Sequence, residues 1–128
     1  MTEYLTLADA LQITAAFGFH VRDAGLLASA LARPSASMVG EDAYPSLDRK
    51  AAALLDSMLR NHPLVDGNKR TGWTAMVAFL WVNGFRHDFD TDTGFDLVVG
   101  IAEGVVDLDA AEAQIRAHRV PRATTPGR

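Results

Sequence analysis

The 128-residue chain contains 48% hydrophobic residues, so it can bury one ordinary core and is too short for two domains of typical size. It has no cysteine, which excludes a disulfide framework, a thiolate metal site and a thiol nucleophile, and which fits a cytoplasmic protein. A formal net charge of −4 argues against nucleic-acid binding, and no apolar run approaches the roughly 18 residues that a membrane-spanning helix needs.

Two helices are predicted in the first third of the chain. The first begins after a Thr6 cap and ends at Gly18. Its residues at helical spacing are Leu7, Ala10, Leu11, Thr14 and Phe17. The second begins after Asp23 and stops near Arg33-Pro34. Its apolar positions are Leu26, Leu27, Ala30 and Leu31.

A polar segment from Pro34 to Pro45 follows, with few residues suited to a core. Its length and composition are typical of a surface loop used for binding, and we name it the flap. A third helix is predicted after Ser46, and it places Arg60 and His62 at its C-terminal end. The apolar stripe of this helix is Leu47, Ala51, Leu54, Leu55, Met58 and Leu59.

Three more helices complete the prediction. The fourth ends at Asn83-Gly84, the fifth begins in the region of Asp92, and Asp107 caps the sixth. Extended structure is expected only as a short pair, in the flap or around residues 86–89. We therefore predict an all-α single domain of about six helices over residues 1–120, followed by a disordered tail over residues 121–128. The basic residues assigned to a mobile C-terminal end are Arg116, Arg119, Arg122 and Arg128.

The stretch from His62 to Arg70 joins the third and fourth helices and is rich in reactive groups. Pro63 disfavours helical geometry at His62, so the third helix should end there. Gly67-Asn68 is a turn that leads into the fourth helix. The backbone amides that open this helix should therefore face the loop.

These amides predict a phosphate site. Unpaired N–H groups at Asn68, the positive end of the helix dipole and the cations Lys69 and Arg70 together suit di- or triphosphate oxygens. Asp66 can hold a magnesium ion on those phosphates, and His62 can accept a proton from an attacking hydroxyl. A base, a metal ligand and cations are the groups that phosphoryl transfer needs.

The same stretch resembles the signature of the Fic/Doc family, His-x-Phe-x-Asp/Glu-Gly/Ala-Asn-x-Arg, and a helix-rich single domain of this length resembles the small Doc (death on curing) branch. Family members that transfer AMP mostly carry Gly after the motif Asn and a second Arg three residues beyond the first. This chain has Lys69 and Trp73 at those positions. In the Doc branch the lysine is understood to occupy the anion-binding space, so that the nucleotide is reversed and offers its γ-phosphate.

The resemblance implies a toxin of a toxin–antitoxin system. Its activity would be that of an ATP- and magnesium-dependent protein kinase that phosphorylates a threonine of elongation factor Tu and blocks translation. It makes His62 the general base and Asp66 the Mg²⁺ ligand. It assigns nucleotide and phosphate contacts to Asn68, Lys69, Arg70 and Gly67, of which Gly67 supplies the close backbone turn. Arg60, two residues before His62, could reach the same pocket or the target protein. The resemblance also implies an antitoxin whose disordered C-terminal segment folds as a helix into a groove beside the active site.

Leu64 stands where the family usually has Phe, a position that anchors the loop in the core. Leucine keeps an apolar anchor with less volume, so we expect activity to survive. Two alternatives stay open: transfer of AMP or another nucleotide moiety by the same His62, and a catalytically inactive module that only binds a partner.

Other motifs favour structural roles. The Asp88-x-Asp90-x-Asp92 spacing departs from a calcium loop, so Asp92 is interpreted as a helix cap. Trp73 and Trp81 are interpreted as core residues on one helix face. The remaining histidines lack metal-site spacing and are interpreted as surface or capping residues. They are His20, His87 and His118.

Overall fold

Six α-helices form the fold of residues 1–123, the part of the chain that the computed structural model describes. They are α1 (Leu7–Phe17), α2 (Ala24–Ala32), α3 (Leu47–Asn61), α4 (Asn68–Val82), α5 (Thr91–Ala102) and α6 (Leu108–His118). The all-α prediction is confirmed. Thr6, Ser46 and Asp107 cap α1, α3 and α6 as predicted, each through a side-chain oxygen that accepts a first-turn amide. None of these described helices is both long enough and apolar enough to cross a membrane.

The start of α5 corrects one prediction. Asp90, rather than Asp92, is the N-cap, and its carboxylate accepts the Thr93 amide at 2.7 Å. Hydrogen bonding from Thr93 holds the pKa of Asp90 below its ordinary value. Asp92 lies in the first turn, where its negative charge interacts favourably with the positive end of the helix dipole.

Helix α3 is the centre of the core. It packs against α2, α4, α5 and α6, and residues 51–55 are all buried. The run of three alanines at the start of this segment allows neighbouring helices to approach on more than one side. Burial therefore extends beyond the predicted apolar stripe to Asp48 and Lys50, which are each 2% exposed.

Two short antiparallel strand pairs accompany the helices, at both places where extended structure was expected. In the flap, β1 (Ser37–Met38) pairs with β2 (Glu41–Asp42). The second pair joins β3 (Phe85–His87) to β4 (Arg119–Pro121).

The base of the flap is tied to the core by Lys50. Lys50 belongs to α3, and its Nζ donates to Asp42 Oδ2 at 3.0 Å and to the carbonyl of Tyr44. Because this ammonium group is buried, these two acceptors replace the water that it would otherwise bind. The flap is therefore joined to the same helix that ends at His62.

The mobile-tail assignment is wrong for Arg116 and Arg119. Arg116 belongs to α6 and its Nε lies 3.3 Å from Asp48 Oδ2, while Arg119 Nε lies 2.6 Å from Asp48 Oδ1. The side chain of Asp48 is 3% exposed, so these cations compensate a buried charge. The end of α6 is thereby fixed to the start of α3.

Order continues beyond β4. The amide of Arg122 donates to the carbonyl of Gly84 at 2.8 Å, and its guanidinium lies 4.7 Å from the ring centroid of Trp81. Trp81 itself is 50% exposed and is not a core residue, contrary to the sequence interpretation. The rest of the predicted tail, residues 124–128 with Arg128, lies outside the described residues.

Candidate active site

The candidate site is built around the loop between α3 and α4. His62 follows the last residue of α3 with a φ of 48°, in the left-handed region that few non-glycine residues adopt. Pro63 excludes a further helical turn, as predicted. A left-handed backbone costs a residue with a Cβ roughly 1–2 kcal/mol. Contacts from elsewhere must therefore hold His62 in this conformation.

One set of contacts comes from the connection between α1 and α2. The amides of Arg22 and Asp23 both donate to the carbonyl of Pro63, at 2.8 and 3.0 Å. Val21 and Leu64 form an isolated antiparallel bridge. The loop is therefore paired, over a short length, with a distant segment of backbone.

The side chain of Arg22 supplies a second set. Its Nε donates to the carbonyl of His62 at 3.0 Å, and its Nη2 donates to the same oxygen and to the carbonyl of Asn61 at 3.2 Å. Carbonyls at a helix C-terminus lack intrahelical partners and attract a cation. Sequence reasoning missed Arg22, because it lies 40 residues from His62 and no local pattern marks it.

Leu64 and Asn68 close the loop on itself. Leu64 is 2% exposed, so the leucine does fill the apolar anchoring position. The Leu64 amide donates to Asn68 Oδ1 at 3.0 Å, and Asn68 Nδ2 donates to the Leu64 carbonyl at 3.1 Å. The side chain of Asn68 thus braces the loop, and its backbone amide is the group left to contact a phosphate.

Gly67 forms the close turn that the sequence predicted. Its φ is 83°, and a Cβ at this position would overlap the ring of Phe19. Glycine is therefore required here for two reasons, the left-handed conformation and the approach of the aromatic ring. Phe19 covers the turn and, like Gly67, lines the adjacent cavity.

A cavity of about 810 Å³ opens beside this loop. Six of the predicted site residues line it, namely His62, Asp66, Gly67, Asn68, Lys69 and Arg70. Arg60 does not line it, because its Nε pairs with Asp56 Oδ1 at 2.8 Å on the exposed side of α3. Its predicted contact with a nucleotide or phosphate stays a prediction.

The phosphate end of the cavity is formed by the first turn of α4. Within residues 1–123, the amides of Asn68, Lys69 and Arg70 have no hydrogen-bond acceptor, and the first intrahelical bond is from Thr71 to Gly67. Amides in this position, together with two cationic side chains, form an anion-binding site.

Asp66 is suited to a magnesium ion that is shared with a bound phosphate. Its side chain is exposed at the cavity, and Oδ1 accepts the Gly67 amide at 2.8 Å, which leaves Oδ2 available. Among the described residues, no group of three or more His, Asp or Glu side chains is arranged to hold a metal ion. Mg²⁺ commonly binds one or two carboxylates and completes its shell with phosphate oxygens and water, so this residue fits the ion.

A second part of the cavity lining, which we name the apolar end, is largely apolar. Trp73, Phe89 and Phe95 lie there, with Val98 and Ala102 of α5. Trp73 packs closely on α5, since a Cβ on Gly94 would lie 3.0 Å from its ring. Trp73 is therefore part of the cavity wall as well as of the helix interface.

The other histidines do not all have their predicted surface or capping roles. His118 Nδ1 lies 2.9 Å from Asp88 Oδ1, and its ring stacks on Phe89 with centroids 4.2 Å apart. His87 lines the cavity, contrary to the surface interpretation, and burial lowers its pKa. His20 is exposed and contributes its carbonyl to the Val65 amide. Because Asp88 pairs with His118 and Asp90 caps α5, the aspartates of residues 88–92 do not converge on an ion.

Comparisons with known proteins agree with this geometry. The model of the Fic/DOC family matches residues 3–80, which include the whole loop and the first turns of α4. The protein named Toxin Doc from Mycolicibacterium smegmatis is 52% identical over 120 residues, which cover 90% of this chain and 92% of that protein. The similarity therefore extends beyond the loop to most of the domain.

Proposed function

This chain belongs to the Fic/DOC family, and on that premise we propose that it is a toxin that transfers the γ-phosphate of ATP to a threonine hydroxyl of elongation factor Tu. Its relative is named as a toxin. The kinase activity and the target rest on the resemblance of the loop to the Doc form of the family signature.

The observation that carries the proposal is the position of Lys69. It lies in the first turn of α4 and lines the cavity together with His62 and Asp66. A lysine at this place supplies a positive charge beside three free amides, which favours the most highly charged end of the nucleotide. The γ-phosphate would then lie next to His62, the general base.

The residues of the loop suit an in-line phosphoryl transfer. His62 accepts the proton of the threonine hydroxyl while that oxygen attacks the γ-phosphorus. The bond between the γ-phosphorus and the bridging oxygen breaks, and ADP leaves with the electron pair. Lys69, Arg70 and the α4 amides stabilise the charge on the transferred group. Asp66 would hold the Mg²⁺, which neutralises phosphate charge when bound.

A cognate antitoxin is the second partner that we propose, as a helix that docks in a groove near the active site of this cytoplasmic toxin. Exposed apolar side chains on α1 support such a contact: Leu7, Leu11 and Phe17 are 37%, 41% and 40% exposed. Phe17 is also near the site, since the guanidinium of Arg70 lies 5.7 Å from its ring centroid.

Intact-mass spectrometry of elongation factor Tu tests the reaction. After incubation with the purified chain, ATP and MgCl₂, we expect the mass of one phosphoryl group to be added, and none to be added by His62→Ala or Asp66→Ala. The matched control is Asp96→Ala, an exposed aspartate on α5 that does not line the cavity. Addition of one AMP would overturn the kinase assignment in favour of nucleotidyl transfer.

Growth arrest in cells distinguishes a catalytic toxin from a binding module. Expression of the unchanged chain should stop growth, and His62→Ala should relieve the arrest. Arrest that persists in His62→Ala would favour the inactive binding module instead.

A further inference from the structure

The apolar end of the cavity has an imidazole in its wall that the phosphoryl transfer does not use. His87, at the end of β3, lines this end beside Trp73 and Phe89. The nearby carboxylate of Asp90 is occupied by the cap of α5. None of the catalytic steps described above uses the imidazole of His87.

The hydrogen bonding of His87 determines its tautomer. The amide of Phe89 donates to His87 Nδ1 at 3.1 Å, so this nitrogen is an acceptor and the ring hydrogen must be on Nε2. A protonated ring would place a second N–H against the Phe89 amide. Burial also lowers the pKa of His87, which favours the same neutral form.

The ring is held in this orientation by aromatic neighbours. Its centroid lies 5.3 Å from that of Trp73, at an interplanar angle of 81°, and 5.8 Å from that of Phe89. Phe89 is itself stacked on His118. Within the described residues, Nε2 makes no hydrogen bond, although His87 lies in the cavity wall.

We propose that His87 recognises the base of the bound nucleotide, by donating a hydrogen bond from Nε2–H to a ring nitrogen of adenine at the apolar end of the cavity. The proposal rests on the proposed function, which places the phosphates at the α4 end of the same cavity. A volume of about 810 Å³ is in the range of small-molecule and cofactor sites, so both ends can serve one ligand. Aromatic side chains beside a directed donor suit a nucleobase better than a flexible peptide side chain.

Two substitutions separate the donor from the ring. His87→Phe keeps an aromatic ring and removes the donor, whereas His87→Gln keeps an N–H near the position of Nε2. Titration calorimetry with MgCl₂ would measure binding of ATP and of inorganic tripolyphosphate to the unchanged chain and to both variants. Tripolyphosphate occupies only the phosphate end, so it reports on the integrity of that site.

We expect His87→Phe to weaken ATP binding about tenfold and to leave tripolyphosphate binding unchanged, since one hydrogen bond is lost. His87→Gln should retain most of the affinity for ATP. In the transfer assay, His87→Phe should raise the KM for ATP by a similar factor with kcat preserved.

Four results would overturn this inference. ATP that binds His87→Phe as tightly as the unchanged chain would exclude recognition by His87. An equal loss of ATP and tripolyphosphate affinity would show a structural role alone. Tripolyphosphate that binds the unchanged chain as tightly as ATP would exclude any base site, while the proposed kinase activity would remain intact. If the unchanged chain binds neither ligand, the proposed function fails as well.

Discussion

Arg22 gives the sharpest test of how the catalytic loop is held. Its guanidinium donates to the carbonyls of His62 and Asn61, and it does not line the cavity. The substitution Arg22→Ala removes these bonds and leaves the nucleotide site itself unchanged. We therefore expect it to lower kcat without changing the KM for ATP.

The magnitude follows from the environment of the bonds. Hydrogen bonds that involve a charged group contribute about 1.5–3 kcal/mol, and we take the lower end because Arg22 is exposed. This free energy is similar to the roughly 1–2 kcal/mol that the left-handed conformation of His62 requires. Loss of about 1.5 kcal/mol would reduce the population of correctly placed His62, and so kcat, about tenfold.

The assay is the rate of the proposed phosphate transfer from ATP to elongation factor Tu over a range of ATP concentrations. Arg22→Lys should lie between the unchanged chain and Arg22→Ala, because lysine keeps the charge but lacks the forked donors. The matched control is Arg86→Ala, which replaces an exposed arginine on β3 and should leave kcat and the KM for ATP unchanged. An unchanged kcat in Arg22→Ala would refute the view that this residue positions His62.

Three further predictions concern stability. Gly67→Ala should lower the free energy of unfolding by about 1–3 kcal/mol, since its left-handed φ and the ring packed on it both oppose a Cβ; chemical denaturation that shows no change would contradict this. Asp48→Ala should lower it by about 1–3 kcal/mol, because the buried Nε of Arg119 loses the carboxylate beside it; a small change would mean that water replaces the pair. A hydrogen bond from Ser46 lowers the pKa of Glu112, so the stability that this carboxylate contributes is present above its unfolded pKa and is lost as the pH falls through its folded value. Glu112→Gln should therefore weaken the loss of stability with falling pH, measured as the melting temperature from pH 6 downwards. A melting temperature that falls with pH as steeply as in the unchanged chain would refute this prediction.

Local signals account for most of what the sequence predicted. Helix caps such as Thr6 and Ser46 act on amides of the next turn, so a short window contains both partners. The same is true of the loop, where Pro63 and Gly67 set the backbone through their own conformational preferences. The approximate bounds of the helices and the position of the loop can therefore be predicted from the amino-acid sequence alone.

Features that depend on distant partners cannot be predicted in this way. Arg119 looked like part of a charged tail because its partner Asp48 lies far away in the chain, at the start of α3. The role of Arg22 depends on a carbonyl 40 residues later. His87 has no motif, and its place in the cavity wall follows only from the packing of β3 beside α4. Charge and aromatic character are visible in a sequence, but the group that each one meets is set by the tertiary fold.

Helix α3 connects the base of the flap to the loop that contains His62. Lys50, near its N-terminus, holds the base of the flap, and His62 follows its C-terminus. With a rise of about 1.5 Å per residue, the two positions are about 18 Å apart along the axis. A segment that touches the base of the flap while offering a hydroxyl to His62 has to cover that span, which takes about six extended residues.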